Sequence, residues 1–120
     1  MNEVQELIFE LMKRASFNRF DGEKVVRLLK ENEDLWDAVY MTRIGMCQLI
    51  PLRDLPEGHF NVDELYIMTT EDRMDPLERL VVEKFEADEV GWLDDDIAMR
   101  MMGKWSSEGI KERILFVWWD

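Results

Sequence analysis

Cysteine and histidine are almost absent from the sequence, and their scarcity excludes several kinds of site. Of the 120 residues, one is a cysteine, Cys47, and one is a histidine, His59. A single cysteine cannot form an intramolecular disulfide, and it leaves a cysteine-based zinc site without ligands. Histidine-dependent nucleophilic catalysis would have to use His59, which lies in a turn at residues 56–60 where an exposed histidine is ordinary. We therefore expect no catalytic residues, metal site or cofactor from these residue types.

Glycine-rich loops and long apolar runs are also missing. The six glycines are isolated from one another, so the sequence contains neither a phosphate-binding P-loop nor a dinucleotide-binding fingerprint. No apolar stretch approaches the about 20 residues that cross a bilayer. Residues 1–6 lack the basic and apolar regions of a secretory signal. We expect a cytoplasmic protein with no membrane partner.

Positive charge is scarce in the middle of the chain. The sequence has 27 acidic and 15 basic residues and a net charge of −12. Residues 54–96 contain fifteen of the acidic and three of the basic residues, so this acidic block holds the whole charge surplus. Direct nucleic acid binding is disfavoured, because it relies on Lys and Arg side chains that neutralise phosphates. The block favours a basic protein partner. The alternative is that the acidic residues bind no partner and only keep the protein soluble.

The sequence does contain enough apolar material for one folded core. Hydrophobic residues make up 47% of the chain and include five Trp and six Phe. Single cores commonly hold about 100–150 residues. We therefore predict a single domain over residues 1–120, with a helical part over residues 1–45 and an α/β part over residues 46–120.

The helical part has three segments in which apolar residues recur at helical spacing. The first begins after Asn2, a suitable N-cap, and runs to about residue 14. Asp21 is placed to cap a second helix over residues 23–30. Asp34 is placed to cap a third helix that runs to about residue 43 and is ended by Gly45. The predicted apolar face of the first helix consists of Val4, Leu7, Ile8, Leu11 and Met12.

Strands alternate with helices in the α/β part. Nearly continuous apolar runs predict strands at residues 64–69, 89–93 and 113–118. Between them, the stretch 75–78 has the capping box and early proline of a helix that runs to about residue 85. Asp94 is placed to cap a helix over residues 95–102. The alternation predicts a small three-layer α/β unit with about three parallel strands, joined by right-handed crossovers.

Two further stretches bear on the sheet. Residues 85–90 resemble the helix-to-strand passage of Rossmann-like α/β proteins, with Glu86 where many of those proteins have glycine. Residues 46–51 form another strand-like run, which Pro51 restricts to a sheet edge or a strand end. The alternative fold is α+β, with antiparallel pairing of residues 46–51, 64–69 and 113–118.

Polar residues follow each predicted strand, and they indicate a ligand site if the strands are parallel. In open α/β sheets, ligands bind beyond the carboxyl ends of the strands. Thr69, Asp94 and Asp120 would then be contacts of a small metal-dependent phosphoryl-transfer or ligand-binding domain, because carboxylates are ligands for Mg²⁺. In the competing interpretation, Asp94 has only a structural role, because aspartate is a favourable N-cap of a helix.

The function that the sequence favours is a non-enzymatic acidic interaction protein, an inhibitor or adaptor that binds a basic protein partner. The acidic block supplies charge, and two tryptophans add apolar contact unless they are buried in the core. The oligomeric state is left open by the sequence. The predicted partner-binding residues are Glu57, Asp63, Glu71, Asp72, Glu83, Glu86, Asp94, Asp95, Trp105 and Trp119.

Overall fold

The described residues form one four-stranded sheet with helices packed against its faces. The computed structural model describes residues 1–15, 19–42, 52, 54–60, 62–104 and 109–120. The predicted strand at residues 46–51 lies outside the described residues. Short 3-10 turns occupy Glu33–Leu35, Leu55–Glu57 and Glu71–Arg73. In chain order, the other elements are α1 (Glu3–Met12), α2 (Gly22–Glu31), β1 (Ala38–Thr42), β2 (Glu64–Thr70), α3 (Met74–Lys84), β3 (Glu89–Trp92), α4 (Asp95–Met101) and β4 (Glu112–Trp118).

The sheet is antiparallel, with the strand order β1-β2-β4-β3. The predicted three-layer α/β unit with parallel strands is therefore wrong, and the fold is α+β. β2 and β3 do run in the same direction, because each is antiparallel to β4. However, β4 lies between them and pairs with both. The strand–helix–strand order is thus compatible with a split β-α-β arrangement, in which a later strand occupies the gap.

β1 lies where the sequence predicts the third helix, at residues 34–43. A 3-10 turn, Glu33–Leu35, is followed by a strand in which Val39 and Met41 are buried and Tyr40 is exposed. Alternation with a period of two is the pattern of a strand. The apolar spacing of this short segment also fits a helix, and pairing with β2 decides between them because it satisfies the backbone of β1.

The predicted caps of three helices are confirmed. The side chains of Asn2, Asp21 and Asp94 each accept a hydrogen bond from a backbone N–H in the first turn of α1, α2 and α4. The start of α3 differs from the prediction. A 3-10 turn leads into this helix at Met74, so Asp75 lies inside the first turn and does not cap it.

α1 buries a different face from the one that its apolar spacing predicts. Its buried residues are Gln5, Phe9 and Met12, whereas Val4 is 71% exposed. The buried positions recur at i, i+4 and i+7 and therefore share one side of the helix. Phe9 orients this side, because its ring packs edge-on against Trp36 with 5.6 Å between the ring centroids.

The helices divide between the two faces of the sheet. α1, α2 and α3 cover one face, where they form the main core with side chains from all four strands. In the described part of the chain, the other face is partly covered by α4, and Tyr66, Ala98 and Ile114 form a smaller cluster there. None of the helices among the described residues is long and apolar enough to cross a membrane.

Glu86 turns the chain between α3 and β3 with a left-handed backbone, at φ 53°. This conformation costs a residue with a side chain about 1–2 kcal/mol, and glycine avoids the cost. Glu86→Gly should therefore raise the free energy of unfolding by about 0.5–1 kcal/mol, even though it removes an exposed ion pair with Lys24. Urea denaturation measures the change.

The matched control for this substitution is Arg79→Gly, which places glycine inside α3 where the backbone is helical. It should lower the free energy of unfolding by about 1 kcal/mol. A loss of similar size in Glu86→Gly would contradict the strain at Glu86.

Candidate partner-binding surface

β3 forms one edge of the sheet, and part of its backbone points away from the sheet. The backbone N–H of Leu93, just beyond β3, donates to the carbonyl of Ile114 on β4, with 3.0 Å between N and O. Because backbone groups alternate in direction along a strand, those of Gly91 also face β4. The N–H and C=O groups of Val90 and Trp92 therefore point outward, and no described residue forms a hydrogen bond with these backbone groups.

The opposite edge of the sheet, β1, is closed by a side chain. Gln5 of α1 is buried, and its amide nitrogen donates to the carbonyl of Val39 at 2.8 Å. Its amide oxygen accepts from the N–H of Val39 at 2.9 Å. The side chain thus pairs with Val39 as the backbone of a further strand would. Edge strands commonly need such cover, so β1 is protected at Val39 whereas β3 is open along Val90 and Trp92.

α3 places carboxylates beside the open edge. The indole N–H of Trp92 donates to the carboxylate of Glu78 at 3.0 Å, and this hydrogen bond ties β3 to α3. The outer side of α3 has a shallow depression of about 300 Å³, lined by Asp75, Glu78, Arg79, Val82 and Glu83. We name this region the α3–β3 surface. Its members are Asp75, Glu78, Arg79, Val82 and Glu83 of α3, and Glu89, Val90 and Trp92 of β3. Val90 and Trp92 face α3, whereas Glu89 points to the opposite face of the sheet.

Three exposed carboxylates of the α3–β3 surface form no ion pair with a described residue, although Arg79 lines the same depression. In the described part of the chain, Asp75, Glu83 and Glu89 form no ion pair. Elsewhere in the acidic block, four ion pairs between described residues neutralise carboxylates with Lys or Arg. The ion pairs are Glu71–Arg113, Asp95–Arg113, Glu86–Lys24 and Asp88–Arg19. Carboxylates without an ion pair to a described residue therefore lie on the edge strand itself, at Glu89, and on the neighbouring helix α3.

Four of the predicted partner-binding acids lie at one end of the sheet, near the start of β4 and the ends of β2 and β3. Glu71 and Asp95 flank Arg113 there. The Thr70 hydroxyl donates to Asp72 and holds the pKa of that carboxyl below its ordinary value. Asp94 caps α4. Each of these carboxylates thus has a partner within the chain.

The remaining predicted acids are dispersed. Glu83 lies on the α3–β3 surface, and Glu86 follows the end of α3. Glu57 is exposed in a 3-10 turn. Asp63 is half-buried and accepts a hydrogen bond from the indole of Trp118 at 3.3 Å. The structure therefore does not gather the predicted acids into a single surface.

Thr69, Asp94 and Asp120, the contacts of the alternative ligand site, are not brought together. β4 runs opposite to β2 and β3, so Asp120 lies at the other end of the sheet, where its N–H donates to Asp88 at 2.8 Å. Thr69 is buried, and its hydroxyl donates to the carbonyl of Leu35 at 2.7 Å. Among the described residues, no group of three or more His, Cys, Asp or Glu side chains could hold a metal ion.

Trp119 has no exposed surface and belongs to the main core. Its indole N–H donates to the carbonyl of Phe85 at 3.1 Å, and its ring packs edge-on against Phe20 at 4.7 Å. A partner cannot reach this side chain while the core is intact. Trp105, the other tryptophan predicted to contact a partner, lies outside the described residues.

A separate apolar groove lies on the face that α4 partly covers. It has a volume of about 370 Å³, and its lining includes Tyr40 and Met101. Burial raises the pKa of Tyr66 in the same lining, and its hydroxyl donates to Glu64 at 2.9 Å. The ion pair between Lys104 and Glu112 compensates both charges in the lining. The groove thus differs from the α3–β3 surface, whose carboxylates are uncompensated.

Sequence reasoning missed Asp75 and Glu78 on α3 and Glu89 on the edge strand as candidate contacts of a partner. Residues 75, 78, 79, 82 and 83 recur at i, i+3, i+4, i+7 and i+8, and this spacing places them on one side of a helix. That signal could have identified the α3 part of the surface. The contribution of Glu89 depends on β3 being an edge strand, which the sequence does not reveal.

Comparison of the chain with protein-family models, with curated proteins and with solved structures gives no significant match. The geometry and charge of the described residues therefore carry the functional argument.

Proposed function

We propose that the chain is a non-enzymatic interaction protein that binds a basic segment of a protein partner on the α3–β3 surface. The supporting observation is that Glu89 lies on an open strand edge and that Asp75 and Glu83 lie on α3, which a hydrogen bond ties to the same strand. All three carboxylates are exposed and form no ion pair with a described residue. Complementary charge speeds the encounter of two proteins and disfavours wrong partners. An inhibitor or adaptor that occupies a basic surface of its partner fits this arrangement.

Val82 gives the surface an apolar contact among its charges. This side chain is 62% exposed and lines the same depression as Glu78 and Glu83. Protein interfaces commonly combine a buried apolar centre with a polar rim. A partner segment with lysine or arginine around an apolar residue would therefore complement both features.

The double substitution Glu83→Gln and Glu89→Gln should weaken partner binding by about 2- to 30-fold at low salt, because it removes two exposed charge contacts. The wild-type protein, tagged and used to capture partners from native cell extract, should retain a basic protein that is lost as salt rises. The purified partner is then titrated against both proteins, and its dissociation constant is measured at two salt concentrations.

The matched control is Glu3→Gln with Glu23→Gln. Both glutamates are exposed in first helical turns, outside the acidic block, and their loss changes the net charge equally. The control should bind the partner like the wild type. Equal weakening in both double variants would show a general charge effect and contradict the assignment of the α3–β3 surface.

A further inference from the structure

We infer that the partner segment binds as an extended fifth strand along the open edge of β3. This inference rests on the proposed function, and it specifies how the α3–β3 surface binds. The outward N–H and C=O groups of Val90 and Trp92 offer two donors and two acceptors at alternate positions. An extended peptide that joins a sheet edge gains affinity from such main-chain hydrogen bonds and specificity from its alternate side chains.

The two edges of the sheet differ in a way that favours strand addition at β3. The Gln5 amide occupies the outward groups of Val39 on β1. Among the described residues, no side chain forms a hydrogen bond with the outward backbone groups of Val90 or Trp92. A short edge strand and nearby charges limit non-specific pairing, so the four residues of β3 suit a short, charge-selected segment rather than general aggregation.

Charge complementarity selects a basic segment over a second copy of this chain. Self-pairing of two β3 edges would add the like charges of Glu89 from both copies to one face of a continuous sheet, and like charges close to each other across strands are unfavourable. Because successive side chains of a strand point to opposite faces, lysine or arginine on one face of an incoming strand would instead meet Glu89, and on the other face it would lie towards α3. Gly91 leaves open space on the face of Glu89, because a Cβ added there would have no neighbour within 4 Å.

The test uses an eight-residue peptide in which lysine and valine alternate, titrated into the full chain and followed by backbone amide NMR and hydrogen exchange. Binding should slow amide exchange at Val90 and Trp92. Val90→Pro should weaken binding at least tenfold, because it removes an outward donor. It removes no hydrogen bond to β4, and proline is tolerated at such edge positions. The thermal unfolding midpoint and near-UV circular dichroism show whether this variant remains folded.

A second peptide keeps the result independent of the folding of the proline variant. It has the same side chains, but every backbone nitrogen is methylated, so the charge is kept and neither edge of the peptide retains a main-chain donor. Strand addition predicts at least tenfold weaker binding of this peptide to the wild-type chain. If both peptides bind equally well and Glu83→Gln with Glu89→Gln weakens both, the strand mode is overturned and the proposed charge-based function stands.

Two other outcomes would also overturn the inference. If the lysine–valine peptide does not bind at low salt, a basic extended segment is not sufficient for binding to β3. The capture experiment then decides the proposed function separately. A dimer in sedimentation, lost in Val90→Pro, would identify a second copy as the occupant of the edge.

Discussion

Replacing Trp119 with alanine should lower the free energy of unfolding by about 3–5 kcal/mol, because it empties a large, fully enclosed site in the core. The ring contact with Phe20 and the hydrogen bond to the carbonyl of Phe85 are lost together. Single domains of this kind are stable by only about 5–15 kcal/mol. Urea denaturation followed by fluorescence and circular dichroism measures the loss, which should shift the midpoint without a change in transition slope.

Two substitutions separate the parts of this effect. Trp119→Phe keeps an aromatic ring but leaves the carbonyl of Phe85 without its donor, and it should cost about 1–2 kcal/mol. Trp118→Ala is the matched control, since Trp118 is the neighbouring residue and is half-buried on the opposite face of the sheet. Its cost should be clearly smaller than that of Trp119→Ala. Equal losses at both positions would contradict the central place of Trp119 in the core.

Replacing Gln5 with leucine should lower the free energy of unfolding by about 2–4 kcal/mol, although leucine has nearly the same size. The substitution leaves the N–H and C=O groups of Val39 buried without partners, and each unsatisfied group costs about 1–3 kcal/mol. Urea denaturation measures the total, and amide exchange at Val39 should become faster. The matched control is Leu7→Gln, which makes the reverse exchange at an exposed position of α1 and should change stability by less than about 0.5 kcal/mol.

Gln5→Glu adds a dependence on pH that leucine cannot show. A neutral carboxyl can both donate and accept at Val39, whereas a carboxylate can only accept and is buried against a carbonyl. Burial therefore raises the pKa of the introduced carboxyl in the folded state above the ordinary value of about 4.3. The variant should approach wild-type stability below that pH and lose stability as pH rises towards the folded-state pKa. A stability difference independent of pH would contradict the paired hydrogen bonds.

Local features of the fold could be predicted from the sequence because their causes lie within a few residues. Asn2, Asp21 and Asp94 cap helices through hydrogen bonds to N–H groups three residues away. The apolar runs of β2 and β4 identify strands without reference to their partners. Residues 38–42 show the limit of local reasoning, because their apolar spacing fits a helix and only the pairing with β2 makes them a strand.

Strand direction and edge identity could not be predicted, because both depend on residues far apart in the chain. β4 pairs with β2 across more than 40 residues, as in the pairing of Ile67 with Leu115, and it occupies the place where a parallel neighbour was expected. Gln5 likewise acts on Val39, 34 residues away. In the candidate surface, Glu83 could be predicted from charge, but the importance of Glu89 follows only from the position of β3 at the edge.

The central position of β4 has a consequence for biosynthesis. Of the three strand pairings in the sheet, two involve β4, which is the last of the four strands to leave the ribosome. Until residues 112–118 emerge, β2 and β3 each lack a neighbour on the side where β4 will lie, and the nascent chain exposes apolar strand edges. Sheet completion is therefore a late, long-range event, because residues 112–118 must pair with both of their neighbours to close the sheet.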